Sequence, residues 1–425
     1  MSGTQTVKNG GQVRRRHVFY IPGYDPFHPR RYRELYRKES AVQAAVSNYA
    51  LQLSPKQSGG AYGWDVAAQI DGTDVQTQVE VLVWSDIVKS SMDTGILATY
   101  LQMLRTAWIY IGSGALWRLM QLRKGPVIAA LYPVVFLVGQ LGLSVLAGHL
   151  AGKVLVTGLQ LFLLDTEGAA LTISLLGWLV YWGAFGGVVL MALRWFRRID
   201  ARVFAYYLMH DYAYSAQMNG ANPPALEARM ADFTKTIAEA LQRDVDEVLI
   251  VGHSSGVHLA VSVLADLIRA GRVPKSGPAL SFLSLGQVVP MVSFLPQAQR
   301  LRTDLAFLAA TKALFWVDVT APGDGCAFAL CDPVAVSGVA PANKHWPLVF
   351  SAAFTQSLSP ARWKELRWRF FRLHFQYLCA FDRPRDYDYF QITAGPMTLG
   401  ARYQGRPASQ SRIETPVNKY TSVTL

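Results

Sequence analysis

The sequence predicts an α/β protein whose doubly wound, mostly parallel sheet is interrupted by a two-helix membrane insertion. Three observations predict it. Short β-branched apolar runs alternate with helical stretches, which is typical of a doubly wound sheet. A glycine-rich turn joins one of these runs to a helix. Between the two halves lie two apolar stretches without Asp, Glu, Lys or Arg, each long enough to cross a bilayer.

The first half of the chain has the pattern of a strand, a helix and a hairpin. Hydrophobic periodicity and the turn residues Asp71-Gly72 indicate these elements. They are a strand at 17–21, a helix at about 31–51, a loop at 54–63 and a hairpin of two runs at 64–69 and 75–84.

The second half continues the alternation of helices and strands. Asn222-Pro223-Pro224 marks the start of its first helix. The predicted elements are a helix to about 243, a strand at 248–251, a helix at 257–270, a strand at 279–285, a helix at 298–309 and a strand at 313–319.

The two membrane spans are predicted at residues 127–150 and 171–193. Residues 154–164 are apolar but too short to cross, which favours a re-entrant or interfacial segment. Because one sheet needs strands from both halves, both halves must lie on the same side, and two crossings allow this. Arginines on the outer flanks place that side in the cytoplasm. Residues 96–122 form either a helix at the membrane interface or a cap over the soluble domain.

The predicted organisation has six parts. They are a polar basic tail at 1–16, the first half of the sheet domain at 17–92, the interfacial or cap helix at 93–125, the membrane hairpin at 126–193, the second half of the sheet domain at 194–400 and a polar, disordered tail at 401–425.

Charge and composition favour a membrane over nucleic acid. The net charge is +12, but the basic residues cluster beside the apolar stretches, and no nucleic-acid-binding motif is present. Three cysteines do not make a disulfide framework and suit a reducing compartment. The first residues lack the apolar core of a cleavable signal peptide. We therefore expect a two-span protein of a bacterial inner membrane with its soluble domain in the cytoplasm.

Residues 252–256 (GHSSG) carry the most specific motif. They lie between the apolar run 248–251 and a helical stretch, the context of a nucleophile elbow. Glycine at 252 and 256 allows strand and helix to approach closely. On this motif and the order of elements, residues of about 17–90 and 200–395 resemble an α/β-hydrolase of the serine esterase and lipase type.

The resemblance implies a Ser, Asp, His order along the chain. Ser254 is the expected nucleophile, and the backbone N–H groups of Ser255 and Tyr24 are the expected oxyanion donors. Asp324, in the loop after the strand at 313–319, is the expected acid, and Asp332 is the alternative. Asp318 lies inside that strand, where its side chain is committed to structure.

Two histidines are candidates for the general base. His374 comes late in the chain, as the resemblance implies, and has aromatic neighbours. A helix starting at Ser359-Pro360 and running through Leu378 would instead leave His374 as a packed residue, and His345 would then be the base. His253 and His258 lie too close to Ser254 in sequence and are expected to shape the site or pack.

The predicted function is hydrolysis of an ester or amide, of a membrane lipid or another acylated small molecule, through an acyl-enzyme. Acyl transfer by the same triad and a non-catalytic membrane scaffold are the alternatives. No metal-ligand motif or phosphate-binding loop is found, so no metal, nucleotide or flavin cofactor is expected. The oligomeric state stays open.

Overall fold

The computed structural model describes residues 6–7, 11–163 and 170–423. The chain forms two compact units. The sheet unit comprises the chain before Ser91, Ile109–Val127 and the chain from Ser215 onward. The helical unit comprises Ser91–Trp108 and Ile128–Tyr214.

An eight-stranded, mostly parallel sheet forms the centre of the sheet unit. Its spatial order is β10-β9-β8-β6-β2-β5-β4-β3, parallel from β10 to β5 and antiparallel over β4 and β3, and β1 pairs with β7 separately. The predicted α/β class with a mostly parallel sheet is therefore confirmed. The strands are β1 Thr6–Val7, β2 Arg15–Ile21, β3 Ala50–Pro55, β4 Gly63–Ile70, β5 Thr73–Val81, β6 Glu247–His253, β7 Ser276–Gly277, β8 Ala279–Leu285, β9 Phe315–Thr320 and β10 Leu348–Ser351.

Helices surround the sheet and make up the helical unit. The helices are α1 Arg30–Ser47, α2 Ser85–Met92, α3 Ile96–Gly112, α4 Ala115–Leu122, α5 Lys124–Leu163, α6 Ala170–Arg198, α7 Asp200–Val203, α8 Ala205–Ala216, α9 Pro224–Ala240, α10 Gly256–Arg269, α11 Val289–Ser293, α12 Gln299–Ala310, α13 Pro333–Val336, α14 Phe354–Ser357, α15 Pro360–Leu366, α16 Phe370–His374, a 3₁₀ helix Phe375–Leu378, α17 Tyr389–Ala394 and α18 Leu399–Arg402.

The central strands are buried on both faces. Every residue of β6 and β8 is buried, as expected for parallel strands covered by helices on both sides. Helix α10 packs against β6 and against the neighbouring helices α9 and α12. The carboxyl end of β6, where the GHSSG motif lies, is thus held between a buried sheet and a buried helix.

Three sequence expectations about the elements before residue 123 were wrong. Helix α1 ends at Ser47 and not near residue 51, because Asn48 takes a left-handed conformation and caps it. The residues that follow form β3, an edge strand paired with β4, where the end of that helix and the start of a loop were expected. The single helix expected over 96–122 is two helices, α3 and α4, separated at Gly114, which has a φ of +75°.

The polar tail was expected to be disordered, and over its described part this was wrong. The Ile413 N–H donates to the Leu330 carbonyl (2.7 Å), and the Asp332 N–H donates to the Ile413 carbonyl (2.9 Å). The Asn418 amide donates to the Ser293 carbonyl (3.0 Å). Such specific backbone pairing holds a polar segment in place without an apolar pattern, so composition could not indicate it.

Two helices of the helical unit are long and apolar enough to cross a membrane, judged by length and composition. They pack directly on each other: a Cβ added to Gly148 of α5 would lie 2.8 Å from the Phe185 carbonyl of α6, and one added to Gly152 would lie 2.7 Å from the Tyr181 ring. His149 Nδ1 and the Tyr181 hydroxyl are hydrogen-bonded at 2.7 Å. Small residues thus let the two helices approach closely.

The extent of these two helices differs from the expectation. Helix α5 is continuous through Leu163, so the described part of the 154–164 segment is not a separate element. The contacts of Gly148 and Gly152 set α6 alongside the second half of α5. Leu137, in the first half, packs instead with side chains of α3 and α8 (Met103, Tyr206, Met209 and Ala213). Apolar composition alone does not distinguish a helix buried in protein from one facing lipid.

Gly256 is required where α10 starts beside β2. A Cβ at this position would lie 2.2 Å from the Ile21 carbonyl oxygen, which is backbone and cannot move aside. Gly256→Ala is therefore expected to destabilise the fold by at least about 3 kcal/mol. The melting temperature and the yield of folded protein measure this. Gly112→Ala, where a Cβ meets nothing within 4 Å, is the control and should melt with the wild type.

Candidate active site

Ser254 lies in a sharp turn between β6 and α10. Its φ is +57°, a left-handed conformation that is uncommon and costly for a residue other than glycine. Its N–H donates to the carbonyl of Leu285 at the end of β8 (2.9 Å). The turn is therefore fixed at the carboxyl edge of the sheet, as expected for a nucleophile elbow.

Asp324 is buried in the loop after β9 and accepts three hydrogen bonds. The carboxylate oxygen Oδ2 accepts from His374 Nδ1 (2.8 Å) and from the Tyr377 hydroxyl (3.0 Å), and Oδ1 accepts from the Cys326 N–H (2.9 Å). Burial raises the pKa of Asp324, but His374 and these donors outweigh it and hold the pKa below its usual value. The Asp324 carboxylate is thus ionised and accepts a hydrogen bond from the His374 imidazole.

His374 lies at the end of α16, where the helical segment is broken. The long helix that would have made His374 a packed residue does not form, because α15 ends at Leu366 and α16 gives way to the 3₁₀ helix at Phe375. With Nδ1 paired to Asp324, the second ring nitrogen, Nε2, is buried and has no hydrogen-bond partner among the residues that the structure describes. An unpaired buried nitrogen is costly in a purely structural histidine.

Ser254 and His374 both lie at the end of β8. Gly286 follows Leu285, the residue that accepts the Ser254 N–H, and a Cβ on Gly286 would lie 3.0 Å from His374 Cε1. The ring of His253, next to Ser254, lies 4.8 Å from the His374 ring. The Ser254 hydroxyl and His374 Nε2 are not hydrogen-bonded in this conformation. Catalytic hydrogen bonds are often long before substrate binds.

His253 supports His374 and is not a second base. Its Nε2 is hydrogen-bonded to the His374 carbonyl (3.0 Å). Burial, and then the neighbouring His374, lower the pKa of His253 to about 3, so its ring is neutral and donates to that carbonyl. The expectation that His253 shapes the site agrees with this contact.

The loop that carries Tyr24 lies against the elbow. A Cβ on Gly23 would lie 3.0 Å from the Ser254 Cβ, closer than ordinary van der Waals contact, so glycine favours this approach. The Tyr24 N–H donates to the Ser255 hydroxyl (2.8 Å). The Asp25 carboxylate holds the loop in place by accepting hydrogen bonds from the Tyr32 hydroxyl and from the Phe27 N–H (2.9 Å). The predicted oxyanion donor is thus beside Ser254, with a serine oxygen as its present acceptor.

The alternative acid and base have other roles. Asp332 caps α13 by accepting from the N–H groups of Val334 and Ala335, both at 3.0 Å, and it pairs with Lys344. His345 is exposed in the loop before β10. Neither is hydrogen-bonded to Ser254, Asp324 or His374. Of these candidates, the structure therefore pairs Asp324 with His374, and it places Asp332 and His345 in other contacts.

Asp324, Cys326 and His374 also meet a geometric criterion for a metal site. One potential ligand atom from each lies within 4.8 Å of the others. Burial, and then Asp324, raise the pKa of the Cys326 thiol well above its usual value, so it is protonated near neutral pH. A metal ion here would have to displace the His374–Asp324 hydrogen bond. The hydrogen bond between Asp324 and His374 accounts for the cluster better than metal ligation does.

Sequence reasoning missed Tyr377 and Cys326 as parts of this site. Tyr377 donates to Asp324 and also accepts from the Ala321 N–H (2.9 Å), so it ties the acid loop to the segment that carries His374. Tyr377 follows His374 by three residues, a helical spacing that puts both side chains on one face. Cys326 lies two residues after Asp324, the spacing of an Asx turn. Both signals were present in the sequence.

Asp318 is a buried acid outside this hydrogen-bonded set, as the sequence indicated. It accepts from the Ser284 hydroxyl (2.6 Å), and burial raises its pKa to about 8. The unfolded chain ionises near the ordinary value of about 4, so stability falls by roughly 1.4 kcal/mol per pH unit from about pH 4 to pH 8. Asp318→Asn removes this loss, and we expect it to raise the melting temperature more at pH 8 than at pH 5.

Thermal melts of wild type and Asp318→Asn across this pH range measure the effect. Asp244→Asn, at an exposed carboxylate, is the control and should follow the wild type. An equal shift at pH 5 and pH 8 would show that Asp318 is not buried in its neutral form.

Comparisons with known protein families, with curated proteins and with solved structures find no match.

Proposed function

We propose that the protein is a membrane-anchored serine hydrolase with an α/β-hydrolase-like fold. The observation that carries this is the buried Asp324–His374 pair beside the strained turn of Ser254. Supporting it, Ser254, Asp324 and His374 occur in that chain order: Ser254 follows β6, Asp324 follows β9 and His374 lies beyond β10. The Tyr24 loop follows β2, the neighbour of the elbow strand β6.

The residues have distinct roles in the proposed reaction. His374 Nε2 takes the proton from Ser254 as the seryl oxygen bonds to the substrate carbonyl carbon. Asp324 holds the tautomer with the proton on Nδ1 and stabilises the imidazolium that forms. The proton then passes to the departing alcohol or amine, leaving an acyl-enzyme that water hydrolyses by the same route.

The oxyanion donors are the backbone N–H groups of Ser255 and Tyr24. Each such donor is worth roughly 3 kcal/mol of transition-state stabilisation. Because the Tyr24 N–H now donates to the Ser255 hydroxyl, this hydroxyl has to rotate away, or share the donor, when substrate binds.

The proposed substrate is a lipid or another acylated amphiphile. Helices α5 and α6 are long and apolar enough for a membrane hairpin. Strand β2, before the hairpin, pairs with β6, after it, so an even number of crossings is needed to keep the sheet in one compartment. The arginines in the last turns of α6 favour the cytoplasmic side. Acyl transfer to an alcohol or amine would use the same residues.

Fluorophosphonate labelling of isolated membranes tests the proposal. The reagent phosphonylates serines that an adjacent base activates, so wild type should label and Ser254→Ala should not. Ser255→Ala, which removes the neighbouring hydroxyl, should still label. If folded wild-type protein does not label, with or without detergent, the domain is a non-catalytic scaffold. A chelator that abolishes labelling would favour a metal at Cys326.

A further inference from the structure

The segment that precedes His374 carries a basic and aromatic surface that the proposed chemistry does not use. It contains five cationic side chains and one acidic side chain between Pro360 and Leu373. Trp368 is 72% exposed and Phe370 is 49% exposed. The Trp368 patch is defined here as Arg367, Trp368, Arg369, Phe370 and Arg372, all of which are exposed.

The positive charge of this patch exceeds the acidic charge paired with it in the described part of the chain. Among the described residues, Glu365 is the acidic partner of its arginines, and its carboxylate is shared with Arg362 (2.9 Å), Arg369 (3.4 Å) and Arg372 (3.9 Å). Arg367 lies over the Trp368 ring, 5.6 Å from its centroid. Several guanidinium groups therefore remain available to an anionic partner.

The inner side of the same segment covers the loop that holds Asp324. A Cβ on Gly323 would lie 2.6 Å from the Trp363 ring, and one on Gly325 would lie 3.3 Å from the Phe370 ring. Helix α16 then ends at His374. A partner bound to the outer side would thus lie one side-chain layer from the acid and base of the site.

The exposed aromatic rings and the excess of arginines indicate the chemical class of the partner. Indole rings favour the headgroup level of a bilayer, and clustered basic residues attract anionic lipid. Single-stranded RNA can also stack on aromatic rings beside arginine. The bilayer is favoured here because the same chain has two helices long and apolar enough to cross one. We propose that the Trp368 patch docks on anionic lipid headgroups and holds the site at the membrane surface.

Depth-dependent fluorescence quenching tests this with the full-length protein in nanodiscs. The discs contain brominated phosphatidylcholine with or without phosphatidylglycerol. The quenching of tryptophan fluorescence in wild type minus that in Trp368→Phe gives the contribution of Trp368. We expect that contribution to be at least about twofold larger with phosphatidylglycerol, since the charge attraction brings the ring to the lipid. Replacing Arg367, Arg369 and Arg372 together by glutamine should abolish the increase.

A matched variant removes three charges from the opposite edge of the sheet. Arg243, Lys275 and Lys312 are exposed and precede strands β6, β7 and β9, and their joint replacement by glutamine should leave the quenching unchanged.

Equal quenching with and without phosphatidylglycerol overturns the proposal. So does protection of Trp368 from iodide by an RNA oligonucleotide and not by lipid. Fluorophosphonate labelling of each variant in detergent is a separate readout, so failure of docking and failure of the hydrolase proposal are distinguishable.

Discussion

Asp324→Asn is expected to slow fluorophosphonate labelling of Ser254 by about 10⁴-fold while the protein stays folded. The Cys326 N–H donates to Oδ1, so the asparagine oxygen should remain there and its NH₂ group should face His374. His374 Nδ1 would then have to accept a hydrogen bond, and its proton would move to Nε2. A histidine in that tautomer cannot take the seryl proton.

The rate constant for labelling measures this effect, and Asp332→Asn is the matched control. Asp332 is also a buried aspartate after β9, but its partners are the N–H groups at the start of α13 and the Lys344 amine. We expect Asp332→Asn to lower the melting temperature and to leave the labelling rate close to that of wild type. An Asp324→Asn protein that labels at the wild-type rate would remove Asp324 from the mechanism.

Arg16→Met is expected to destabilise the sheet unit by about 3–5 kcal/mol, because it breaks a buried ion pair from one side. Arg16 Nε donates to Glu247 Oε2 (2.6 Å), and its other nitrogens donate to the carbonyls of Gly395 (2.8 Å) and Met397 (2.5 Å). Removing the guanidinium leaves the Glu247 carboxylate charged and buried without its cation. These bonds join β2, β6 and the segment before α18.

Thermal melts compare Arg16→Met with Arg15→Met. The Arg15–Asp244 pair is more than half exposed at both side chains, and exposed pairs contribute little. Arg15→Met should therefore melt near the wild type and Arg16→Met clearly below it. Similar melting of the two variants would mean that the Arg16–Glu247 pair is dispensable.

The strands of the central sheet and the turn at Ser254 were predictable because their signals are local. A β-branched run, a GHSSG turn and a helical stretch are contiguous in the sequence. The two glycines of the turn indicate that β6 and α10 approach closely. The edge strand β3 was missed because its half-exposed residues have no strong apolar pattern. Its place depends on pairing with β4, which a local pattern does not record.

The choice of acid and histidine depends on segments far apart in the chain. Asp324 and His374 are 50 residues apart, and the sequence left Asp332 and His345 as rivals. Three features of the fold distinguish Asp324 and His374 from these rivals. The helical segment breaks between α15 and α16, Asp332 is used to cap α13, and the Tyr377 hydroxyl joins the loop of Asp324 to the segment of His374. The hydrogen bonds that decide these roles exist only in the folded chain.

By itself the sequence determined the α/β class, the elbow with its serine, and two helices apolar enough for a membrane, because periodicity, turn residues and composition act over short stretches. Only the tertiary structure decided which acid and which histidine meet, how α6 lies along α5, and that the tail through Val423 is bound to the sheet unit. Each of these depends on contacts between segments far apart in the chain, where one hydrogen bond or one close approach at a glycine selects among residues of the same type.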